Sequence, residues 1–330
     1  MDIFPTQNST LSAVALKTHL AQAYGLIIQS CKLLVRNVSD TYLLEAVDSK
    51  YIFKIYRNKH RKFEEIAAEV ELLSELHANG AQVAYPLTAV DGNQIQSFNA
   101  AEGTRYGVLF TYARGVVVHD LRPAQLKPLG RAMASVHNIT SKINLKNPRR
   151  VYNNDTMLLA PIKLVKPAFE SIAPEYNYLK EKSEEIAKKI AQLDLAKFSY
   201  GYCHYDFLPK NFHFERNNVT FFDFDFAGQG YLINDIASFY IHYFLEVYYG
   251  KITQQEADHA FAIFVAAYRE VRPLSDEELA AFPYFGYAFW IFYMGFHYEN
   301  FEDWSNIFFG PKFLKDRTTL IKKWVDWYVK

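Results

Sequence analysis

Cysteine is almost absent from this chain of 330 residues: Cys31 and Cys203 are the only two. They cannot build the disulfide framework of a small secreted domain, and they fit a reducing compartment. Charge of one sign is missing too, because 36 Lys and Arg balance 36 Asp and Glu. A balanced chain offers no electrostatic footprint for nucleic acid or for an anionic membrane, so neither is expected as a partner. No lysine or arginine precedes Lys17. The basic segment that opens a signal peptide is therefore lacking, and a cytoplasmic location is expected. Internal repeats and low-complexity linkers are also lacking. One uncharged run, Leu279 to Phe296, is long enough to be weighed as a membrane span. Pro283, Gly286, Gly295 and the tyrosines at 284, 287 and 293 argue for a buried aromatic helix instead.

What the chain has in abundance is aromatic side chains, with 27 Phe, 24 Tyr and 4 Trp, far more than a disordered chain carries. At this length roughly three quarters of the unfolded surface can be buried, and a single core tends to split in two. Strand-like runs occupy Leu33–Ala46 and Tyr51–Tyr56, then Gln94–Phe98 and Tyr106–Tyr112. Between them, Ile66, Val70, Leu73 and Leu76 recur at helical spacing, and Asn79-Gly80 ends that helix. Beyond Arg114-Gly115 the pattern turns helical, with amphipathic stretches at Pro123–His137 and Pro174–Leu195 and aromatic helices after Ile233. The expected fold is α+β in two lobes. Residues 1–113 would form a small antiparallel sheet with one helix, and residues 114–330 a larger helical lobe.

The chemistry is concentrated in Tyr202–Gly230, where His204-x-Asp206-x-x-x-x-Asn211 precedes an apolar strand ending in Asp223-Phe224-Asp225. Phosphoryl transfer needs a carboxylate to orient and deprotonate the attacking hydroxyl, and oxygen ligands to hold Mg²⁺ against nucleotide phosphates. This spacing supplies both from one loop, with Asp206 as base and Asn211 and Asp223 on the metal. Asp225 is a further candidate ligand. The competing reading is an ordinary hairpin with acidic turn residues.

A second requirement separates the two readings. A kinase-like site also needs a strand lysine for the α- and β-phosphates, oriented by a glutamate from the next helix. Lys54 lies in the alternating strand Tyr51–Tyr56, and the following helix offers Glu64, Glu65, Glu69 and Glu71.

With these residues in place the chain resembles the aminoglycoside phosphotransferase and choline kinase-like superfamily, which includes type II homoserine kinases and fructosamine kinases. The resemblance runs from about Val35 to about Phe239. It implies a protein-kinase-like fold, ATP, Mg²⁺ and a small-molecule hydroxyl acceptor. It matches Lys54 and Glu69 to the nucleotide-binding pair and Leu109–Gly115 to the hinge, where Phe110 to Tyr112 would meet adenine. His204, Asp206, Asn211 and Asp223 fall on its catalytic and metal positions, and Asp235 on a residue that supports the catalytic loop.

Two departures stand out. The first hairpin has no G-x-G-x-x-G; its loop reads Asn37-Val38-Ser39-Asp40-Thr41, leaving Ser39 and Thr41 to cover phosphates. Tyr205 stands where the family commonly has Gly. No A-P-E follows Asp225, which lowers the standing of a protein Ser/Thr kinase; a non-catalytic nucleotide-binding module is opposed by the intact set of catalytic groups. The acceptor itself is not legible. Glu299, Glu302 and Asp303 can serve a polycation, and Tyr284, Tyr287, Trp290 and Tyr298 a quaternary amine. The oligomeric state is not legible either.

Overall fold

Side-chain alternation organises the N-terminal part of the chain. The computed structural model describes residues 4–305 and 309–330 and, for 301–305, the backbone path alone. After helix α1 (Ala13–Tyr24) come strands β1 (Ile28–Arg36), β2 (Ser39–Ala46) and β3 (Lys50–Tyr56). Helix α2 (Phe63–Ala78) precedes β4 (Ile95–Ala100) and β5 (Gly103–Thr111). The strands form one antiparallel sheet in the order β1-β2-β3-β5-β4. Phe53 pairs with Tyr42 on β2 and with Leu109 on β5. These three, with Leu44 and Ile55, form a buried core closed by Leu16 and Leu20 of α1. Because side chains alternate across a strand, Lys54 must point to the opposite face, alongside its cross-strand partners Thr41 and Val108.

Two features of this region depart from the sequence reading. The loop of the first hairpin, expected over 37–41, is shorter: a tight turn at Asn37-Val38, closed by the Asn37 N–H donating to the Ser39 carbonyl at 3.0 Å. Ser39, Asp40 and Thr41 belong to β2. Helix α1 has no counterpart in the sequence reading. Ser12 caps its start and Gly25, at φ +63°, ends it in the left-handed conformation that glycine tolerates.

Chain contacts define two compact units: Met1–Val116 with Asn144–Arg149 and Thr220–Phe222, and Val117–Ile143 with Arg150–Val219 and Asp223–Lys330. The second contains α3 (Pro123–Thr140), α4 (Ala160–Leu164) and α5 (Ala173–Gln192). Next come β6 (Tyr200–Cys203), β7 (Phe212–Glu215), β8 (Asn218–Phe221) and β9 (Gly228–Tyr231), with β6 antiparallel to β9 and β7 beside β8. Five further helices complete the chain: α6 (Ile233–Tyr248), α7 (Gln254–Arg269), α8 (Asp276–Ala280), α9 (Phe282–Ser305) and α10 (Pro311–Tyr328). The uncharged run expected to be an aromatic helix lies in α9, with Phe285, Tyr287, Ile291 and Phe292 buried. No described helix is long and apolar enough to cross a membrane.

Helices α3 and α7 meet closely enough that a Cβ on Gly130 would lie 2.4 Å from the Phe264 carbonyl oxygen. On an exposed helix, Gly→Ala stabilises by about 1 kcal/mol through propensity. Here the sign reverses: Gly130→Ala is expected to destabilise by about 1–3 kcal/mol through overpacking against rigid backbone, read as a lower denaturation midpoint. A second test uses Glu278 on α8, which is 2 % exposed and accepts the Ser199 N–H at 3.1 Å just ahead of β6. Burial raises its carboxyl from 4.5 to about 7, against the pull of that hydrogen bond and of Arg272. The folded chain thus holds this proton at a pH where the unfolded chain has lost it. The group's contribution is complete below about pH 4.5 and is lost as pH rises towards 7. Glu278→Gln should remove that loss, so its melting temperature relative to the parent protein rises across this window.

Candidate active site

In the first unit Lys54 and Glu69 come together, with their charged groups 3.7 Å apart and both residues buried. Strand phase turns Lys54 away from the core. Helix phase puts Glu69 on the buried face of α2 with Ile66, Val70 and Leu73. The other glutamates have different work: Glu65 accepts the Lys62 N–H at the helix start, and Glu71 accepts the Lys146 N–H. Arg149 adds a second cation 3.9 Å from the other Glu69 oxygen. The sequence had no signal for it, since 144–149 has no periodicity and reaches Glu69 only through the fold.

The other nucleotide candidates fall around this pair. Ser39 and Thr41 lie on β2, not in the loop: Thr41 is directly opposite Lys54, Ser39 is opposite Tyr56, and the loop itself is Asn37-Val38. Phe110 is buried near the end of β5, and Tyr112 follows that strand half-buried.

In the second unit the loop between β6 and β7 presents Asp206, 2 % exposed. Its Oδ2 accepts from Asn211 Nδ2 at 2.8 Å and from the Lys210 ammonium at 2.8 Å. Its Oδ1 is buried with no hydrogen-bond partner among the described residues. Asn211 Nδ2 also donates to the Asp206 carbonyl at 2.8 Å, which commits the amide nitrogen and leaves the amide oxygen for another partner. Asp223 is exposed, at φ +62°, and begins the tight turn that carries the buried Asp225. Burial disfavours the Lys210 charge, yet the carboxylates of Asp206 and Asp223 hold its pKa above the ordinary value.

The loop is shaped by Asp235 at the start of α6. One oxygen accepts the Tyr205 N–H at 2.7 Å, and the other accepts the His204 N–H at 2.8 Å and meets His137 Nε2 at 3.0 Å. His137 Nδ1 in turn meets the Tyr268 hydroxyl at 2.8 Å. Tyr205 occupies the left-handed region, φ +68°, a conformation that costs little only for glycine. Its ring stacks on Tyr152 with centroids 3.7 Å apart, and both are buried. His204 is buried edge-on to Phe207 and against Phe224.

The acceptor candidates separate. Tyr287 is fully buried and donates to the Leu179 carbonyl at 3.0 Å, while Tyr284 reaches the Lys330 carbonyl at 3.1 Å. Tyr298 lies against Phe309, Trp290 is buried, and Glu299 is exposed. The side chains of Glu302 and Asp303 lie outside the described residues. Lys210, Arg149, His137 and Tyr293 were not singled out by sequence; only Lys210, inside the motif, was within reach of it.

The donor set suits Mg²⁺, a hard cation that takes oxygen ligands and binds through one or two carboxylates plus substrate phosphates. The Asp223 and Asp225 carboxylates and the Asn211 amide carry oxygen donors of that kind. Among the described residues no three His, Cys, Asp or Glu side chains gather into a metal cage.

Residues 31–274 match the phosphotransferase enzyme family. The chain is 26 % identical over 271 residues to a homoserine kinase of Paramagnetospirillum magneticum, covering 78 % of this chain and 76 % of that one. It shares its fold with an amicoumacin kinase solved with AMP-PNP and calcium (TM-score 0.73, 20 % identity, 95 % and 94 % of the two chains). A microcompartment-associated aminopropanol kinase is equally similar (TM-score 0.73, 19 % identity, 95 % of each chain). The chain belongs to the phosphotransferase enzyme family, and is an enzyme of the small-molecule kinase class.

Asp235→Asn keeps the shape but puts an N–H₂ against one of two backbone N–H groups, leaving it unsatisfied. A loss of about 1–3 kcal/mol is expected from that buried donor. Amide hydrogen exchange at residues 204–207 should accelerate with it, and unchanged exchange would show that another contact holds the loop.

Proposed function

We propose that the chain transfers the γ-phosphoryl group of ATP, with Mg²⁺, to a hydroxyl of a small molecule. One observation carries the reading: Asp206 has one oxygen held by Asn211 and Lys210, and the other buried and without a hydrogen-bond partner among the described residues. A carboxylate so arranged is oriented and still able to accept one more proton donor, as a base for an alcohol must be. Asp206 aligns the acceptor hydroxyl and takes its proton as the oxygen attacks phosphorus. Lys210 fixes the Asp206 carboxylate and favours its ionised form.

Residues 1–113 form the nucleotide-binding lobe in this reading. There Lys54, oriented by Glu69, binds the α- and β-phosphates; Ser39 and Thr41 line the phosphate side, and Phe110 and Tyr112 meet the base. Residues 114–330 form the catalytic and acceptor lobe, where Asn211 and Asp223 would hold Mg²⁺. The metal, when bound, screens the phosphate charge and stabilises the charge that develops in transfer. The likeness to a kinase solved with AMP-PNP and calcium supports a nucleotide and a divalent metal.

The test is ADP release from Mg·ATP over a panel of hydroxyl compounds: amino alcohols, hydroxy amino acids, sugars and aminoglycosides. Asp206→Ala should lower kcat by about 10²–10⁴ while leaving Mg·ATP affinity near the parent value. Asp223→Ala should weaken Mg·ATP binding itself. Equal loss of nucleotide binding in both variants would contradict the assigned roles.

A further inference from the structure

No glycine lies between Gly25 and Gly80. The hairpin of β1 and β2 therefore lacks the residue that lets a phosphate-covering loop flex and bring its backbone close. Its turn is only Asn37-Val38, and Ser39 and Thr41 stand on β2 itself. Their position is set by the strand, so it depends on what holds that strand from behind. Side chains alternate along β2. Thr41 shares the face of Lys54, its cross-strand partner, and Ser39 lies on that same face. Asp40 points to the other face, with Tyr42 and Leu44, opposite Ile55.

There Asp40 is 1 % exposed, as is Arg105 of β5, and the two meet at 2.9 Å. Arg36 lies 3.8 Å and Arg57 4.0 Å from the other Asp40 oxygen. The rest of the Arg105 guanidinium is taken up by backbone. Its Nε donates to the Tyr56 carbonyl at 3.1 Å, Nη2 to the Ile55 carbonyl at 3.3 Å and Nη1 to the Ser9 carbonyl at 2.7 Å. Backbone pairing between β3 and β5 stops at Ile55 and Gly107. Arg105, two residues past that point on β5, continues the tie with its side chain. The segment ahead of α1 is drawn in by the same cluster. Arg36 donates to the Asn8 carbonyl at 2.8 Å, and the Tyr42 hydroxyl to the Leu11 carbonyl at 2.7 Å. One planar fork thus joins β2, at the residue between Ser39 and Thr41, to the end of the strand that carries Lys54.

We propose that Asp40 and Arg105 are positioning residues for the nucleotide: they lock the β1–β2 hairpin to β3, so that Ser39, Thr41 and Lys54 form one rigid phosphate-binding frame. The inference rests on the nucleotide-binding reading of residues 1–113. Both side chains lie on the face away from Lys54, so they act on phosphates only through the residues they hold. A buried ion pair adds little stability over apolar residues of the same volume. What it adds here is a fixed geometry, which a row of aliphatic side chains would not impose on two strand ends.

Calorimetric titration of the full chain with Mg·AMP-PNP and with AMP tests it. AMP lacks the β- and γ-phosphates, so the ratio of the two affinities separates their binding from that of the nucleoside. Arg105→Lys keeps a charge beside Asp40 but not the fork to three carbonyls, and should lower the ratio by about 10-fold or more. Asp40→Asn combined with Arg105→Gln removes both charges, leaves neither unpaired, and should do the same. Arg36→Ala, at the exposed edge of the cluster, leaves the buried pair intact and should lower the ratio by about 2- to 5-fold. An unchanged ratio in these variants overturns the proposal and assigns the cluster to packing. An equal loss for both nucleotides, which is loss of the fold, overturns it as well. A parent chain that binds neither nucleotide would sink the kinase reading and this inference together. The expected fall in the ratio, with no ADP release on any acceptor, would keep the inference and sink the kinase.

Discussion

The loop that carries Asp206 owes its shape to a single buried carboxylate. Asp235 accepts from the backbone N–H groups of two consecutive residues, His204 and Tyr205, with its two oxygens. Consecutive amides can converge on one carboxylate only if the chain between them bends sharply, and the bend is taken at Tyr205, in the left-handed region. Asp206 is the next residue, so its position follows from that bend. Asp235 itself is held from the other side by His137 of α3, which Tyr268 of α7 orients. The close approach of α3 and α7 at Gly130 is therefore part of what places Asp206. A charge buried this way is stabilising only while every partner is present, since an uncompensated buried charge costs several kcal/mol.

A tyrosine at the bend carries a strain that a glycine would not. The structure offsets it with packing: the Tyr205 ring is stacked on Tyr152, with the Phe292 edge against it at 4.9 Å. The aromatic richness of the chain thus does more than fill space. In α9, Phe285, Tyr287 and Phe292 belong to the core, while Trp290 lies under the Arg317 guanidinium and the Tyr293 hydroxyl stays near Asp206. The same uncharged run that could be weighed as a membrane span supplies a tyrosine beside Asp206.

Charge is balanced overall but not locally. Lys54, Glu69 and Arg149 form a cation-carboxylate-cation set in the first unit. Lys210 and Asp206 form a pair in the second. In both cases the carboxylate is buried, where Coulomb attraction is stronger and screening weaker than at the open surface.

Local patterns are legible in the residues themselves. The spacing from His204 to Asn211, the strand alternation around Lys54 and the helical period of α2 are properties of a few neighbouring residues, and elements form where such patterns fall. Helix α1 escapes such a reading because it has little amphipathic signal. Which of four glutamates meets Lys54 is open in the residues alone, and helix phase against the sheet decides it for Glu69. Arg149 at Glu69, His137 and Tyr268 behind Asp235, and Arg317 on Trp290 are beyond reach of the sequence. Each pairing joins residues far apart in the chain, and no periodicity records it. The sequence by itself determined most of the elements and the spacing of the Asp206 loop, because hydrogen-bonding geometry and hydrophobic period act over one or two turns. The tertiary structure alone decided which charges are paired with which, because that depends on distances set by packing.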